Sequence, residues 1–474
     1  MRQSGQTPGY RPIKDAHKTL GLWSIRRALT FAFTAAVVLL VAAWFLVLWL
    51  LGSPSQAKPK PLETKDLLEL LKLVFALVAG VGALVALVTA YRRQRVDEAA
   101  GERAERVQAH VEYGQAVELL GHDKAAVRLG GLYSLERLAQ DHPYYRQTVI
   151  DVVCSYLRMP FRLPPTWQDP EGSESNNSTR FDPVATDLAH QELQVRLTVQ
   201  KLLKRHLITT QLGEQDLPSY WENIDVDLSG AQLIFFDFNG CSPRDARFID
   251  ARFSGSAGFR EARFSGAVNF AGAQFGEAVS FGETQFGGTV DFSEAHFEGA
   301  AGFGAARFGG TISFGGAQFN GTAGFGGAQF SGDAVFGGAQ FNGTAGFGGA
   351  QFGGAGGFHG ARFGSDAWFA EARFVGDARF GGGVQFSGDA TFREARFGGD
   401  AQFRGAWFGG TAGFGGAQFS GTTRFHEAQF ESESNFDGAT VSDPNVDHAW
   451  PSSWRVQIGD NGLARLTRRD GQQR

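Results

Sequence analysis

The sequence predicts a multidomain membrane protein in which two transmembrane α-helices and a small all-α segment precede a right-handed, quadrilateral parallel β-helix. Three observations lead to this fold class. Phenylalanine recurs at a regular spacing between residues 226 and 440. The 474-residue chain contains 65 glycines and 44 phenylalanines, and most of both lie after residue 250. Two long uncharged apolar runs lie near the N-terminus.

The first apolar run covers residues 28–51 without a charged side chain. As a helix it would be roughly 36 Å long, enough to cross a hydrocarbon core of about 30 Å. A second uncharged run covers residues 73–91, and an amphipathic stretch extends it back to about residue 70. We therefore expect a transmembrane helical hairpin at 28–91, with spans at 28–51 and about 70–91 and with the lipid bilayer as its partner.

Basic residues on both sides of this hairpin predict its orientation. Six cations lie in the N-terminal tail, residues 1–27, and Arg92, Arg93 and Arg95 follow the second run. The connector between the runs has three lysines, which two acids partly offset. Because positive charge favours the cytoplasmic side, we expect a multi-pass protein of the cell membrane with both termini in the cytoplasm.

Residues 92–160 form a predicted helical module, because apolar residues recur there at helical spacing. Asp123 and Asp141 stand where N-caps are expected, and Pro143 would lie in the first turn of the later helix. The predicted inward residues form two sets: Val127, Leu129, Leu132, Leu135 and Leu138, then Val149, Val152, Val153, Tyr156 and Leu157.

The segments between this module and the repeats differ in composition. Residues 161–187 are rich in proline, serine, asparagine and glycine, which is typical of a linker. A predicted helix at 188–207 then opens the segment 188–225, which includes Trp221. We expect this segment to cap the N-terminal end of the β-helix, since open strand edges need cover.

The chain after the repeats, residues 441–474, is expected to cap the C-terminal end of the β-helix. Trp450 and Trp454 supply large apolar side chains for that purpose. From about residue 460 the sequence predicts an exposed and mobile tail.

The repeats of residues 226–440 have two periods. Inward positions recur every five residues at first, at Leu228, Leu233, Phe238, Pro243, Phe248 and Phe253. The spacing then alternates between six and five, and one extra residue interrupts it at Gly381–Gly383. An eleven-residue period also occurs in right-handed coiled coils. Glycine recurs in nearly every unit, however, and costs about 1 kcal/mol in a helix interior.

Alanine stands two residues before many of the phenylalanines, as in Ala262 and Phe264. In an extended strand these two positions point the same way, so each short strand places one small and one large side chain inward. Four such sides would make a coil of about 20 to 22 residues. The repeats then predict on the order of ten coils and a rod roughly 45–50 Å long at a strand spacing of about 4.8 Å.

Two helical strings resemble a known family. AVELLGHDKAAVRLGGLYSLERLAQDHPYYRQTVIDVVCSYLR is similar to the segment that precedes the repeats in actinobacterial membrane-associated pentapeptide-repeat-containing proteins. LQVRLTVQKLLKRHL is similar to the linker helix of that family. With the repeats, the resemblance covers most of the chain after residue 112. It implies a pentapeptide-repeat solenoid and a membrane setting, and it implies no established reaction.

We predict no catalytic, cofactor-binding or metal-binding residue and therefore a protein that is not an enzyme. The sequence has no nucleophile elbow, zinc motif or complete phosphate loop. Cys154 and Cys241 lie far apart in sequence and predict two buried thiols rather than a disulfide or zinc site. His296, His359 and His426 fall at outward or corner positions of the repeats.

The predicted function is a membrane-anchored scaffold that presents its rod to an unknown cytoplasmic protein partner. The alternative is a DNA-mimicking modulator of gyrase or another topoisomerase, since some pentapeptide-repeat proteins bind gyrase through an acidic rod. A transporter subunit is a third hypothesis, which would need a homo-oligomer because two spans are too few for a pore.

Charge patterning bears on these hypotheses. A net charge of −5 is mild and argues against a nucleic-acid partner. Arginine recurs at the x position of the A-x-F pattern, which predicts a basic stripe and argues against close DNA mimicry. These arginines are Arg247, Arg252, Arg263, Arg307, Arg362, Arg373 and Arg396.

Overall fold

The computed structural model describes residues 64–164, 183–209, 219–459 and 463–469, together with single positions between 30 and 49. The chain divides into two compact units, Met1–Arg106 and Val107–Arg474. Most of the first predicted span, 28–51, lies outside the described residues, as do the N-terminal tail and residues 52–63 of the connector.

One helix, α1, runs from Thr64 to Leu120 without interruption. The second predicted span therefore continues into the predicted helical module without a break, although the sequence predicts separate segments at 70–91 and 92–160. Among the described residues, one helix, counted from Phe75, is long and apolar enough to cross a membrane. Its apolar side chains are exposed, for example Leu73 and Leu87.

Three more α-helices and a short 3₁₀ helix follow α1 and precede the repeats. They are α2 (Ala125–Asp141), the 3₁₀ turn Pro143–Tyr145, α3 (Arg146–Arg158) and α4 (Pro183–Leu207). Most of the predicted inward residues are buried; Val127, Leu129 and Val152 are half-buried. Residues 165–182, most of the predicted linker, lie outside the described part of the chain.

The predicted helix caps are wrong at two positions. Lys124, not Asp123, is the N-cap of α2, and no side chain caps that helix end. The His122 ring nitrogen Nδ1 accepts the Lys124 N–H instead. Asp141 is the last residue of α2 rather than a cap, because the His142 N–H still bonds to the Leu138 carbonyl at 2.8 Å.

Residues 226–441 form four parallel sheets of very short strands, here called faces 1 to 4 in the order in which the chain visits them. Face 1 contains β1 (Val226–Asp227), β3 (Ala246–Arg247), β7 (Val268–Asn269), β11 (Val290–Asp291), β15 (Ile312–Ser313), β19 (Ala334–Val335), β23 (Gly356–Gly357), β27 (Ala378–Arg379), β31 (Ala401–Gln402) and β35 (Thr423–Arg424). Face 2 contains β2 (Gln232–Ile234), β4 (Arg252–Ser254), β8 (Gln274–Phe275), β12 (His296–Phe297), β16 (Gln318–Phe319), β20 (Gln340–Phe341), β24 (Arg362–Phe363), β28 (Gln385–Phe386), β32 (Trp407–Phe408) and β36 (Gln429–Phe430).

The other two faces alternate with these along the chain. Face 3 contains β5 (Ala257–Gly258), β9 (Val279–Ser280), β13 (Ala301–Gly302), β17 (Ala323–Gly324), β21 (Ala345–Gly346), β25 (Ala367–Trp368), β29 (Ala390–Thr391), β33 (Ala412–Gly413) and β37 (Ser434–Asn435). Face 4 contains β6 (Arg263–Phe264), β10 (Gln285–Phe286), β14 (Arg307–Phe308), β18 (Gln329–Phe330), β22 (Gln351–Phe352), β26 (Arg373–Phe374), β30 (Arg396–Phe397), β34 (Gln418–Phe419) and β38 (Thr440–Val441). A terminal hairpin, β39 (Trp454–Ile458) and β40 (Ala464–Arg468), extends face 4.

Strand register confirms the coil lengths that the spacing predicts. The first coil advances 20 residues, since Val226 pairs with Ala246. Later coils advance 22, as from Val290 to Ile312. One coil advances 23, pairing Phe363 with Phe386, and so accommodates the extra residue at Gly381–Gly383. The faces thus form a parallel β-solenoid of about ten coils, as the sequence predicts.

Phenylalanines fill the interior in four columns, one for each face. Equivalent rings of successive coils stack nearly parallel, with centroids 4.7 Å apart for Phe303 and Phe325. Rings of face 1 meet rings of face 3 edge to face, as Phe314 and Phe325 do at 5.4 Å. These rings are fully buried. Each buried phenylalanine is worth about 1.5–3 kcal/mol, so the columns are the principal core of the rod.

Two kinds of corner join the faces and explain the alternating spacing. After faces 1 and 3, two residues turn the chain, and the second has a positive φ, as Gly327 does at 65°. After faces 2 and 4, three residues turn it. The middle residue, often glycine, lies against the corner of the preceding coil: a Cβ on Gly332 would lie 2.7 Å from the Gly310 carbonyl carbon.

Glycine is needed for different reasons at the two kinds of corner, for its positive φ at one and for its lack of a side chain at the other. A matched pair of substitutions can separate these reasons. Gly327→Ala should cost only about 1 kcal/mol, because open space surrounds that position. Gly332→Ala should cost clearly more, because its methyl group would collide with backbone. The denaturation midpoints of the full chain in detergent micelles would measure the difference. Equal losses for the two variants would contradict this account of the corners.

Candidate interaction surfaces

Side chains of α3 and α4 cover the strand edges of the first coil. On face 1, the Gln147 amide donates to the Asp225 carbonyl at 3.0 Å and accepts the Asp225 N–H at 2.9 Å. On face 2, Gln200 forms the same pair of bonds with Ile234, at 2.8 and 3.0 Å. Each glutamine therefore imitates the peptide group of a further strand.

The same end of the rod is closed by Trp221, which is fully buried. Its ring stacks on His206 at 3.9 Å, and the Arg146 guanidinium lies 5.7 Å from the ring centre. Its indole N–H donates to Gln140 at 3.1 Å. The sequence pointed to Trp221 as part of a cap. The capping role of the two glutamines could not be predicted, because a single glutamine on an amphipathic helix is typical of a solvent-facing position.

The C-terminal end is closed by aromatic side chains and a hairpin. Trp450 packs edge to face on Phe419 with centroids 5.2 Å apart, and Trp454 is buried against Phe436. The sequence predicts a mobile tail from about residue 460, but Ala464–Arg468 form a strand that pairs with β38 and β39. This part of the prediction is wrong, since burial of Ala464 and Leu466 against the last coil orders the segment.

The outward positions of face 4 form a ladder of arginine and glutamine without an acid. From coil to coil this face 4 ladder reads Arg263, Gln285, Arg307, Gln329, Gln351, Arg373, Arg396 and Gln418, and all eight are exposed. None of its four arginines forms an ion pair with a described residue. The predicted basic stripe is thus a property of face 4 in particular.

Face 2 has a similar but more mixed ladder. Its outward positions are Gln232, Arg252, Gln274, His296, Gln318, Gln340, Arg362, Gln385, Trp407 and Gln429. Acids stand directly beside it: the Trp407 indole N–H donates to Glu431, and the Asn320 amide donates to Glu298. The predicted stripe arginines that remain divide between the faces, Arg247 on face 1 and the others on face 2.

Several aspartates serve the corners of the rod rather than its flat faces. Asp366 accepts the N–H of Asp389 in the next coil at 3.0 Å, and Asp389 accepts that of Thr411 at 2.8 Å. Asp377 and Asp400 make the equivalent bond at 3.2 Å. These carboxylates link neighbouring coils where the three-residue corners leave N–H groups without strand partners.

The helical module has a cavity of about 930 Å³, lined in part by Tyr113, Arg128, Tyr156 and Glu192. Glu192 is the centre of a cluster of bonds in this cavity. Glu192 accepts bonds from Tyr156 at 2.8 Å and from Arg128 at 3.0 Å, and its other oxygen accepts one from Arg196 at 2.7 Å. Burial, followed by the bond to Glu192, raises the pKa of Tyr156 well above its usual range.

Groups that could carry chemistry are dispersed. Within the described ranges, no three histidine, cysteine or acidic side chains are placed to hold a metal ion. His296 lies on face 2, while His359 and His426 lie at corners. Cys154 and Cys241 are free and buried, as the sequence predicts.

Residues 238–285, 281–329, 336–384 and 382–429 each match the family model described as pentapeptide repeats (9 copies). These segments are pentapeptide repeats. The match coincides with the β-solenoid and accounts for its four-sided coil. No curated protein and no solved structure matches the chain.

The glutamine cap of the pentapeptide-repeat solenoid can be tested on α4. Gln200→Leu keeps the side-chain size but leaves the buried Ile234 N–H and carbonyl unpaired, at about 1–3 kcal/mol for each group. The exposed Gln191 of the same helix supplies the control, because Gln191→Leu should change stability by less than about 0.5 kcal/mol. Denaturation of the full chain, followed by tryptophan fluorescence, would measure both. Similar midpoints for the two variants would refute the capping role.

The two thiols should be inert in the folded protein. Burial raises the pKa of Cys154 to about 12 and raises the pKa of Cys241 above its usual range, so both remain protonated at pH 8. Because the thiolate is the reactive form, a disulfide reagent should modify neither until denaturant is added. The variant Ser331→Cys, at an exposed corner, should react at once as a positive control. Rapid modification of two thiols in the native wild-type chain would overturn this prediction.

Proposed function

We propose that this protein is a membrane-anchored scaffold whose pentapeptide-repeat solenoid binds another protein in the cytoplasm, and that it is not an enzyme. The observation that carries the proposal is the regular outer surface of the solenoid. Its strand register places one outward side chain per coil and face in straight columns, as in the pairing of Arg307 with Gln329. Such long, regular surfaces are what repeat proteins use for binding.

The membrane part of the proposal comprises two spans with both termini in the cytoplasm. It is supported by the exposed apolar stretch of α1 and by the arginines that follow it, Arg92, Arg93 and Arg95. The uncharged run at 28–51 would supply the second span.

Gyrase modulation by DNA mimicry receives no support from faces 2 and 4. The outward ladders of faces 2 and 4 contain no acid, whereas a duplex mimic would need regular negative charge along a face. A supercoiling assay with the full chain in detergent micelles tests this alternative directly, and inhibition at micromolar concentration would favour it over the scaffold.

Proximity labelling from membranes tests the scaffold. The full chain would be compared with a variant lacking residues 226–440 and with one lacking residues 290–333. The second deletion removes 44 residues, two coils of 22, and preserves register because β11 and β19 occupy equivalent positions on face 1. We expect partners to be lost on complete deletion. A partner set that is unchanged without the solenoid would rule the scaffold out.

A further inference from the structure

Face 4 has a groove at its N-terminal end. The groove has a volume of about 490 Å³ and extends from Tyr220 across four coils, from Arg263 to Gln329. Three steps between strands make it roughly 14 Å long, which is the length of about four residues of extended chain. Among the residues that the structure describes, no acid lines it. Beside the ladder, the groove is lined by small residues, Ser265, Gly287, Gly309 and Ser331.

The two arginines of this groove have no counter-charge within the described part of the chain. Arg263 and Arg307 are exposed and form neither an ion pair nor a side-chain hydrogen bond with a described residue. The acids at the neighbouring corner are already engaged, because Arg260 binds both Glu261, at 3.3 Å, and Glu283, at 2.6 Å. Positive charge is therefore available to an outside partner.

Arginine and glutamine alternate along the groove, and this alternation indicates which kind of anionic partner can bind there. A carboxamide has an acceptor oxygen as well as two N–H donors. Phosphate groups offer only acceptors, so the oxygens of Gln285 and Gln329 would find no donor along the sugar-phosphate backbone of DNA. A polypeptide offers backbone N–H and carbonyl groups to the glutamines and side-chain carboxylates to the arginines, which can bind them with two parallel hydrogen bonds.

We propose that the groove of face 4 binds an extended acidic segment of a partner protein. Arg263 and Arg307 would bind two carboxylates, while Gln285 and Gln329 would bind the peptide backbone between and beside them. The two arginines stand two coils apart, roughly 10 Å. Acids two or three residues apart in the segment would reach both. This inference rests on the proposed scaffold and names the chemistry of its partner.

The ladder itself supplies the conservative substitution for a test. Glutamine already occupies equivalent positions of face 4, so Arg263→Gln with Arg307→Gln should leave the fold intact. The control is Arg252→Gln with Arg362→Gln, which removes the same charge from face 2. The probe is a fluorescein-labelled deca-glutamate peptide, and deca-glutamine and a 20-nucleotide DNA single strand serve as comparisons. Fluorescence anisotropy measures the binding of each to the full chain in detergent micelles.

We expect deca-glutamate to bind, deca-glutamine not to bind, and the face 4 variant to weaken binding at least fivefold while the face 2 variant changes it less than twofold. Equal weakening by both variants, absent binding, or tighter binding of the DNA strand would overturn the proposal. In proximity labelling, partners that persist in the face 4 variant but disappear without residues 226–440 would refute the groove and leave the scaffold standing.

Discussion

The structure depends on one repeat distance that two kinds of contact share. Backbone hydrogen bonds between parallel strands require a strand spacing of about 4.8 Å. The phenylalanine rings of successive coils stack at nearly the same separation, 4.7 Å for Phe325 and Phe347. The Phe325 N–H also donates to the Gly346 carbonyl in the next coil, at 2.6 Å. One geometry satisfies both interactions, so each coil reproduces the one before it.

This constraint also determines which departures the rod tolerates. Successive corners stack at the same distance as the strands, so Gly332, in the middle of its corner, has no room for a side chain. Corners that face open space accept larger residues, and glutamates such as Glu283 and Glu294 stand there at φ 59° despite the strain. The extra residue at Gly381–Gly383 lies at a corner too, where it leaves the strand register of the adjacent faces intact.

The first and last coils of the solenoid each have strand edges without a neighbouring coil, and different elements cover these edges at the two ends. At the start, Gln147 and Gln200 offer amide groups to the first coil, so that helices can cover a sheet edge. At the finish, β40 pairs antiparallel with β38 and tryptophans cover the last rings. Both solutions satisfy backbone groups that would otherwise invite pairing with another chain. The outward side chains of the face 4 ladder are not needed to satisfy these backbone groups, so they are available to bind the proposed partner.

The solenoid could be predicted from the sequence, because its inward residues recur at a regular spacing. The five-residue start follows from the spacing of leucine, proline and phenylalanine, the eleven-residue unit and the break near Gly382 follow from the spacing of phenylalanine, and strand register confirms each. The side chains that close the two ends, and the face to which each charged side chain belongs, are visible in the three-dimensional contacts. Gln200 meets Ile234 across 34 residues, and Arg263 and Arg307 share a face only because coils of 22 residues bring them into one column. The first of these contacts joins positions with no local pattern, so spacing alone could not reveal it, whereas the second follows from the coil length that the spacing predicts.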